Sequence, residues 1–231
     1  MIIAIDGPGA SGKSTTAKLL SKKIKFIHLN TGLLYRGVTY VFIENKLFVN
    51  EDISIDDFFK NNCIELSGKQ LNKVMWNGTD ITNYLLNESI NQNINFISNN
   101  ESIRNYLINM QRELCVNKNI VCEGRDIGTV VFPKAEYKFY LNASLDSRTD
   151  RRYLQLNKNK KDVEKSKIKD NLILRDKNDM ERDISPLFKA EDAIEIDTTD
   201  VSIDEQVLII YNKIKKGISW WLMMKIKILK I

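Results

Sequence analysis

The chain has 231 residues, of which 43% are apolar and 28% charged, with a net charge of +5. That length makes one large domain or one domain with an insert, and it is enough to bury a core without staples. The mild positive charge suits a protein that handles small polyanions and gives no case for a nucleic-acid partner; a single histidine, His28, excludes a histidine-rich metal site and leaves the chemistry to Arg, Lys, Asp, Ser and a divalent ion.

The chain opens on Ile2-Ile3-Ala4-Ile5, which reads as a short buried strand, with no signal-peptide pattern before it. Gly7-Pro8-Gly9-Ala10-Ser11-Gly12-Lys13-Ser14-Thr15 follows and fits G-x-x-x-x-G-K-[ST]; Thr16 to Leu20 then reads as helix. Strand, glycine-rich turn and helix start form the context that a phosphate-cradling loop needs. Its backbone N–H groups turn inward toward phosphate oxygens, and the helix adds the positive end of its dipole. Lys13 is expected to reach the β- and γ-phosphates of ATP, and the Ser14 hydroxyl to ligate Mg²⁺. Lys25 to Leu29, with His28, reads as a second strand. Residues 1–40 therefore open a parallel α/β sheet.

After residue 44 the pattern changes. Asp52 to Phe59 reads as a short amphipathic helix. Cys63–Ser67 and Lys73–Asn77 alternate at period two, as strands of a small antiparallel sheet do, and Asn77-Gly78 is a hairpin turn signal. Residues from about 45 to 95 are read as an insert covering the open edge of the main sheet. Helical pattern returns over Ile103–Cys115. Ile120-Val121-Cys122 reads as a buried strand that ends in Glu123-Gly124-Arg125-Asp126, and Tyr137–Leu141 as another.

From Asp146 to about Asp183 the chain is highly charged and carries Arg148, Arg151, Arg152, Arg175 and Arg182. Ala193–Asp197 is the expected last strand and Ile203–Lys216 the last core helix. The tail, 217–231, is apolar with spaced lysines and too short to span a bilayer; it is expected to pack back or stay disordered, with no membrane role. Cys63, Cys115 and Cys122 lack metal or disulfide spacing and read as reduced thiols of a cytoplasmic protein.

The glycine-rich loop alone implies a nucleoside triphosphate and Mg²⁺. Arginines spread over several loops suit phosphoryl transfer between two phosphorylated molecules, because planar, always-charged guanidinium groups can clamp donor, acceptor and transferring group together. From the residues alone the acceptor stays open between CMP or dCMP and another small molecule such as UMP or shikimate. A nucleotide-binding module without catalysis is the third reading.

The runs Ile5-Asp6-Gly7-Pro8, Asn30-Thr31-Gly32-Leu33-Leu34-Tyr35-Arg36, Asn77–Thr82, Glu123–Pro133, Arg151–Gln155, Arg175–Leu187 and Ile196–Thr199 occur in one order over about residues 2–210. Together they resemble the bacterial-type cytidylate kinases of the nucleoside-monophosphate kinase group. The resemblance implies a three-layer α/β/α fold of the P-loop NTPase type with a parallel central sheet. It also implies an inserted monophosphate-binding subdomain with a short antiparallel sheet, and a charged helical lid over about 146–183, all within one domain, 1–216. The implied activity is transfer of a phosphoryl group from ATP to CMP or dCMP by a monomer.

Carried over residue by residue, the resemblance assigns ATP to Gly7–Thr15, with Lys13 also catalytic. Thr31, Arg36 and Arg125 would hold the CMP phosphate. Arg104 and Asp126, with Asn95, would read cytosine, whose amino donor beside two acceptors suits a carboxylate and a guanidinium. Arg175 and Asp179 would hold the sugar and the transferring phosphate, Arg182 a neighbouring phosphate or the base, and Arg151 and Arg152 the ATP phosphates from the lid. Glu123 would assist Ser14 with Mg²⁺ through water. Three positions depart from the family pattern: Asn30 stands for Asp, Asn95 for Ser and Asn178 for a lid Arg.

Overall fold

The apolar runs form a sheet whose central strands have side chains to bury on both faces. The computed structural model describes residues 1–49, 54–158 and 164–228. In chain order it begins with β1 (Ile2–Asp6), α1 (Lys13–Ile24), β2 (Ile27–Asn30) and α2 (Thr31–Glu44). It continues with α3 (Ile55–Asn61), β3 (Ile64–Ser67), β4 (Lys73–Trp76), β5 (Thr79–Asp80), α4 (Glu88–Asn99) and α5 (Glu101–Cys115). The last part is β6 (Ile120–Glu123), β7 (Tyr137–Asn142), α6 (Leu145–Lys158), α7 (Lys165–Glu181), β8 (Ile194–Asp197) and α8 (Ile203–Ile228).

Five strands form one sheet in the order β2-β6-β1-β7-β8, and every pairing is parallel. Alternate residues serve two cores. Ala4, Leu29, Ile120 and Cys122 face one, shared with α2, α5 and the insert. Ile3, Ile5, Val121, Phe139, Leu141 and Ile196 face the other, shared with α1 and α8. Strands covered on both faces read as continuous apolar runs, and that is why period-two alternation is missing from them.

The register aligns the strand ends. Ile5 pairs with Glu123, and Glu123 with Asn30. The loops that leave β1, β6 and β2 therefore start at one level, at the carboxyl edge of the sheet, where open α/β sheets bind their ligands.

The small antiparallel sheet has three strands, β3-β4-β5. The Asn77-Gly78 turn is present, with both residues at positive φ (47° and 80°), and it leads into β5, a strand too short for its own sequence signal. Ile64, Leu66 and Val74 of this sheet join the core that contains Val38, Val41 and Phe42 of α2. The insert thus packs mainly on α2, whereas the sequence pointed to the sheet edge; α2 leaves β2 with an apolar outer face that the insert covers.

Other boundaries moved for local reasons. The expected helix over Asp52–Phe59 starts at Ile55, where Ser54 Oγ accepts from Asp57 N at 3.3 Å; Asp52 and Ile53 lie outside the described residues. Helix α4 runs across the expected insert boundary at 95. Asn100 caps α5 by accepting from Ile103 N at 3.0 Å; α5 is the helix expected over Ile103–Cys115, and α4 before it was not read from the sequence. The charged stretch is a helix pair, α6 and α7, with residues 159–163 outside the described residues. Helix α8 continues past the expected end at Lys216 to Ile228. The expectation for how 217–231 packs concerns side chains outside the described residues. Among the described residues no helix is long and apolar enough to cross a membrane.

Candidate functional site

A cavity of about 740 Å³ opens at the carboxyl edge of the sheet. Two helix N-termini reach it, those of α1 and α2. Gly12 and Asn30, which precede them, make no side-chain cap, and neither first turn carries an acidic residue. Helices α3, α4 and α5 differ: Ser54, Asn87 and Asn100 cap them, and each has an acidic first turn. The uncapped ends of α1 and α2, with their positive dipoles, thus both open into the cavity, which suits two phosphate groups; α7 also starts uncapped but outside it.

Gly9 to Thr15 line the α1 side of this cavity. Gly7 and Pro8 lie behind it. A Cβ on Gly7, whose φ is 147°, would sit 2.1 Å from the Leu141 carbonyl oxygen, so the chain can turn there only as glycine. Pro8 supplies the carbonyl that accepts from Lys13 Nζ at 2.8 Å. Lys13 is buried, and its pKa is held well below the usual lysine value by that burial and by Arg125. A dianionic phosphate beside it would favour the charged form.

On the α2 side, Thr31 lines the cavity, and its hydroxyl donates to the Glu123 carbonyl at 3.0 Å. With its proton committed there, the contribution Thr31 can make toward an anion is the helix-end amide. Arg36 also lines the cavity, and its guanidinium donates to the Leu85 carbonyl and to Asn91 Oδ1, both at 2.9 Å. It is thereby held against the insert. Burial, then Arg152 and Arg125, lower its pKa, as expected where cations gather around an anion site.

Arg125, Arg175, Asp179 and Arg182 meet between the two sides. Arg125 Nε donates to Asp179 Oδ2 at 2.7 Å. Burial opposes the Arg125 charge, but Asp179 more than compensates and its pKa is raised. Burial likewise opposes the Asp179 charge, yet Arg125 and Arg175 hold its pKa below the usual value. Arg175 Nε lies 3.9 Å from the same carboxylate oxygen, with 40% of its side chain exposed toward the cavity. Its removal from bulk water and the nearby Arg125 push its pKa down to about 10. Arg182 donates from Nε to the Ser185 carbonyl at 2.7 Å, while its Nη2 is buried without a partner.

At the far end of the cavity Arg104 is 1% exposed and forms an ion pair with Asp126. It also donates to the Ser98 carbonyl at 3.1 Å and lies 5.4 Å from the centre of the Tyr35 ring. Asn95 lines this end, as does Ser98, which sequence reading missed. Ser98 stands three residues beyond Asn95 on α4, so helical spacing puts both on one face.

From α6, Arg151 and Arg152 line the cavity, Arg152 near enough to Arg36 and Arg175 to help lower the pKa of each. Arg151 Nη1 donates to Thr198 Oγ1 at 3.0 Å and Nη2 to the Thr198 carbonyl, which ties α6 to the end of β8. Arg152 Nη1 donates to Gln155 Oε1 at 2.8 Å.

Among the described residues no cluster of three His, Cys, Asp or Glu side chains could hold a metal ion. The residues present nonetheless fit Mg²⁺, which uses one or two protein oxygens and completes its shell with phosphates and water. Ser14 is exposed to the cavity. Glu123 is 3% exposed, and its Oε1 has no hydrogen-bond partner, lying 3.9 Å from His28 Nε2. A buried carboxylate oxygen without a donor suits a cation.

Sequence reading assigned no role to Asp6. It is 5% exposed and accepts from the backbone N–H of Ile127 at 2.9 Å and of Gly128 at 2.7 Å. It thereby ties the root of the glycine-rich loop to the π-helical turn Ile127–Val131 that follows Arg125 and Asp126. A carboxylate ending an apolar strand was the available signal.

A family model described as cytidylate kinase matches residues 3–216. A cytidylate kinase of Geobacillus sp. (strain WCH70) is 40% identical over 206 residues, covering 89% of this chain and 92% of that protein. A cytidylate kinase of Bacillus subtilis (strain 168) is 40% identical over 204 residues, covering 88% and 91%. Among solved structures, a shikimate kinase from Bacteroides thetaiotaomicron matches with a TM-score of 0.46 at 12% identity, covering 93% of this chain and 98% of that one. No inference about the acceptor follows from a likeness at that level.

Proposed function

The chain belongs to the cytidylate kinase family, and on that basis we propose that it transfers the γ-phosphoryl group of ATP to CMP and dCMP, giving CDP and dCDP. The observation that supports this reading is the pair of uncapped helix N-termini opening into one arginine-lined cavity. The α1 side takes ATP and the α2 side the monophosphate.

The glycine-rich loop, Lys13, Arg151 and Arg152 hold the ATP phosphates. Thr31, through its amide, and Arg36 and Arg125 hold the acceptor phosphate. Arg125 and Arg175 stabilise charge on the transferring group, and Asp179 fixes their orientation. Ser14 and, through water, Glu123 hold Mg²⁺, which supplies charge neutralisation at the β- and γ-phosphates. No general base is required, since the acceptor phosphate is already an anionic nucleophile at neutral pH. Catalysis is alignment, charge neutralisation and exclusion of water.

Arg104 and Asp126 read the base, with Asn95 beside them. A cytosine amino group donates to Asp126, whereas uracil would set a carbonyl against that carboxylate. Residues from about 45 to 95, extended by the rest of α4, serve as the monophosphate-binding insert, and 146–183 as the lid. One chain contributes both halves of the cavity, which supports a monomeric enzyme. The free thiols of Cys63, Cys115 and Cys122 support a reducing, cytoplasmic setting.

Coupled ADP release with CMP, dCMP, UMP, AMP and shikimate tests the reading. Turnover with CMP and dCMP well above the others is expected. Folded, ATP-binding protein without CMP or dCMP turnover would overturn it, and equal turnover with UMP would remove the base-reading part.

A further inference from the structure

Gly9 lies in the glycine-rich loop, and its peptide groups are held from the lid. Its N–H donates to Asp176 Oδ1 at 3.4 Å, and its carbonyl accepts from Arg148 Nη1 at 3.3 Å. Arg148, on α6, and Asp176, on α7, form an ion pair and are 7% and 8% exposed. Arg148 Nε also donates to the Ala143 carbonyl, beyond the end of β7, at 3.1 Å. One buried pair thus grips both hydrogen-bonding groups of a single loop residue and anchors them to the main sheet.

Helix α7 lies directly against this residue. A Cβ on Gly9 would come within 3.3 Å of Leu172 Cδ2 and 3.9 Å of Arg175 Cδ. Leu172, Arg175, Asp176 and Asp179 are spaced i, i+3, i+4, i+7, a single helix face. Leu172, Arg175 and Asp179 line the cavity, and Asp176 is the member of that face that meets the loop.

We propose that Arg148 and Asp176 are positioning residues for ATP: they orient the Gly9 peptide so that the following loop amides face the donor phosphates. The proposal rests on the assignment of the α1 side of the cavity to ATP. The geometry of the pair explains why arginine is needed. Only a guanidinium has enough donors in a fixed fork to serve Ala143, Gly9 and Asp176 together. The long distances to Gly9 leave room for the loop to tighten around a phosphate.

Isothermal titration with Mg·ATP and, separately, with CMP tests the idea on three variants: Asp176→Asn, Arg148→Lys and the charge-free double change Arg148→Met with Asp176→Leu. The double change strands no buried charge and guards against a single variant that fails to fold. The dissociation constant for ATP is expected to rise about tenfold or more, one factor of ten being ~1.4 kcal/mol, while CMP affinity stays within twofold. General loosening would weaken both ligands alike, and that result, or wild-type ATP affinity in the folded double variant, would overturn the proposal.

Hydrogen exchange on the wild-type protein adds a readout independent of folding defects. The Gly9 amide is expected to be protected before nucleotide is added; exchange at the rate of an open loop would also overturn the proposal. Neither measurement needs turnover. Absence of CMP phosphorylation would therefore count against the proposed function and leave this inference standing or falling on its own data.

Discussion

Arg125 Nε donates to Asp179 Oδ2 at 2.7 Å, joining the loop after β6 to helix α7 across 54 residues of sequence. Both side chains are mostly removed from water, at 15% and 10% exposure. Each holds the other ionised: the Arg125 pKa is raised and that of Asp179 lowered against the opposing effect of burial. A buried pair of this kind is costly to break from one side, because the remaining charge is left without a partner. It keeps a guanidinium between the two helix N-termini.

Asp179 also has Arg182 at 3.6 Å and Arg175 at 3.9 Å, so its charge keeps partners when Arg125 is removed, and chemistry should suffer more than folding. Arg125→Ala is expected to lower kcat more than a hundredfold, the scale for loss of a transition-state contact. Steady-state assays and circular dichroism check this; near-normal turnover would show that the guanidinium does not contact the transferring group.

Asp126→Asn should relax base selection. The amide offers an acceptor and a donor where the carboxylate offers acceptors only, so the ratio of kcat/KM for CMP over UMP is expected to fall about tenfold or more. An unchanged ratio would assign base reading to other residues.

Asp6 should leave a pH signature on stability. Burial raises its pKa to about 6, against the two backbone N–H groups that lower it. The native state then binds the proton more tightly than the unfolded chain, whose value is near 3.8. Raised binding in the native state means stability contributed by this group is full below about pH 4 and falls as pH rises through about 6. In Asp6→Asn that decline is absent. The unfolding free energy of the variant relative to the parent should rise by about 3 kcal/mol between about pH 3 and 7. Urea denaturation across that range measures it, and a flat difference would refute the buried titration.

Gly124 sits where a side chain does not fit. A Cβ there would lie 2.7 Å from Ile127 Cδ1 and 2.8 Å from Thr31 Oγ1. Gly124→Ala should push apart the Thr31 and Arg125 loops and raise KM for CMP at least fivefold, with a smaller effect on KM for ATP. Equal KM values in parent and variant would show that the loops yield without consequence.

Chelation of divalent ions should abolish turnover reversibly. Glu123→Gln should raise the Mg²⁺ concentration needed for half-maximal rate about tenfold, because a neutral amide attracts the hydrated ion less. A Mg²⁺ titration of both proteins decides; coincident curves would leave Glu123 as a structural strand-end charge.

Much of the site was legible in sequence because its backbone demands are local. Gly7–Thr15 must be glycine-rich to turn tightly, and Asn30–Arg36 and Glu123–Asp126 follow apolar runs that could only be strands. Thr31 and Arg36 both line the cavity, but the Thr31 hydroxyl is committed to the Glu123 carbonyl, and two of the five Arg36 N–H groups to the insert. Arg148 and Asp176 were invisible as special residues, lying in a charged stretch like any solvated helix surface. Their burial comes from α6, α7 and the glycine-rich loop meeting in space.

The sequence by itself determined the parallel sheet, the phosphate-cradling loop and the set of arginines, since strand burial, glycine turns and charge are written in short stretches of chain. Only the tertiary structure decided which charges pair, that the insert rests on α2, and that the ends of α1 and α2 open into one cavity. Those outcomes depend on parallel register and on contacts between segments far apart in the chain, and local sequence carries no trace of either.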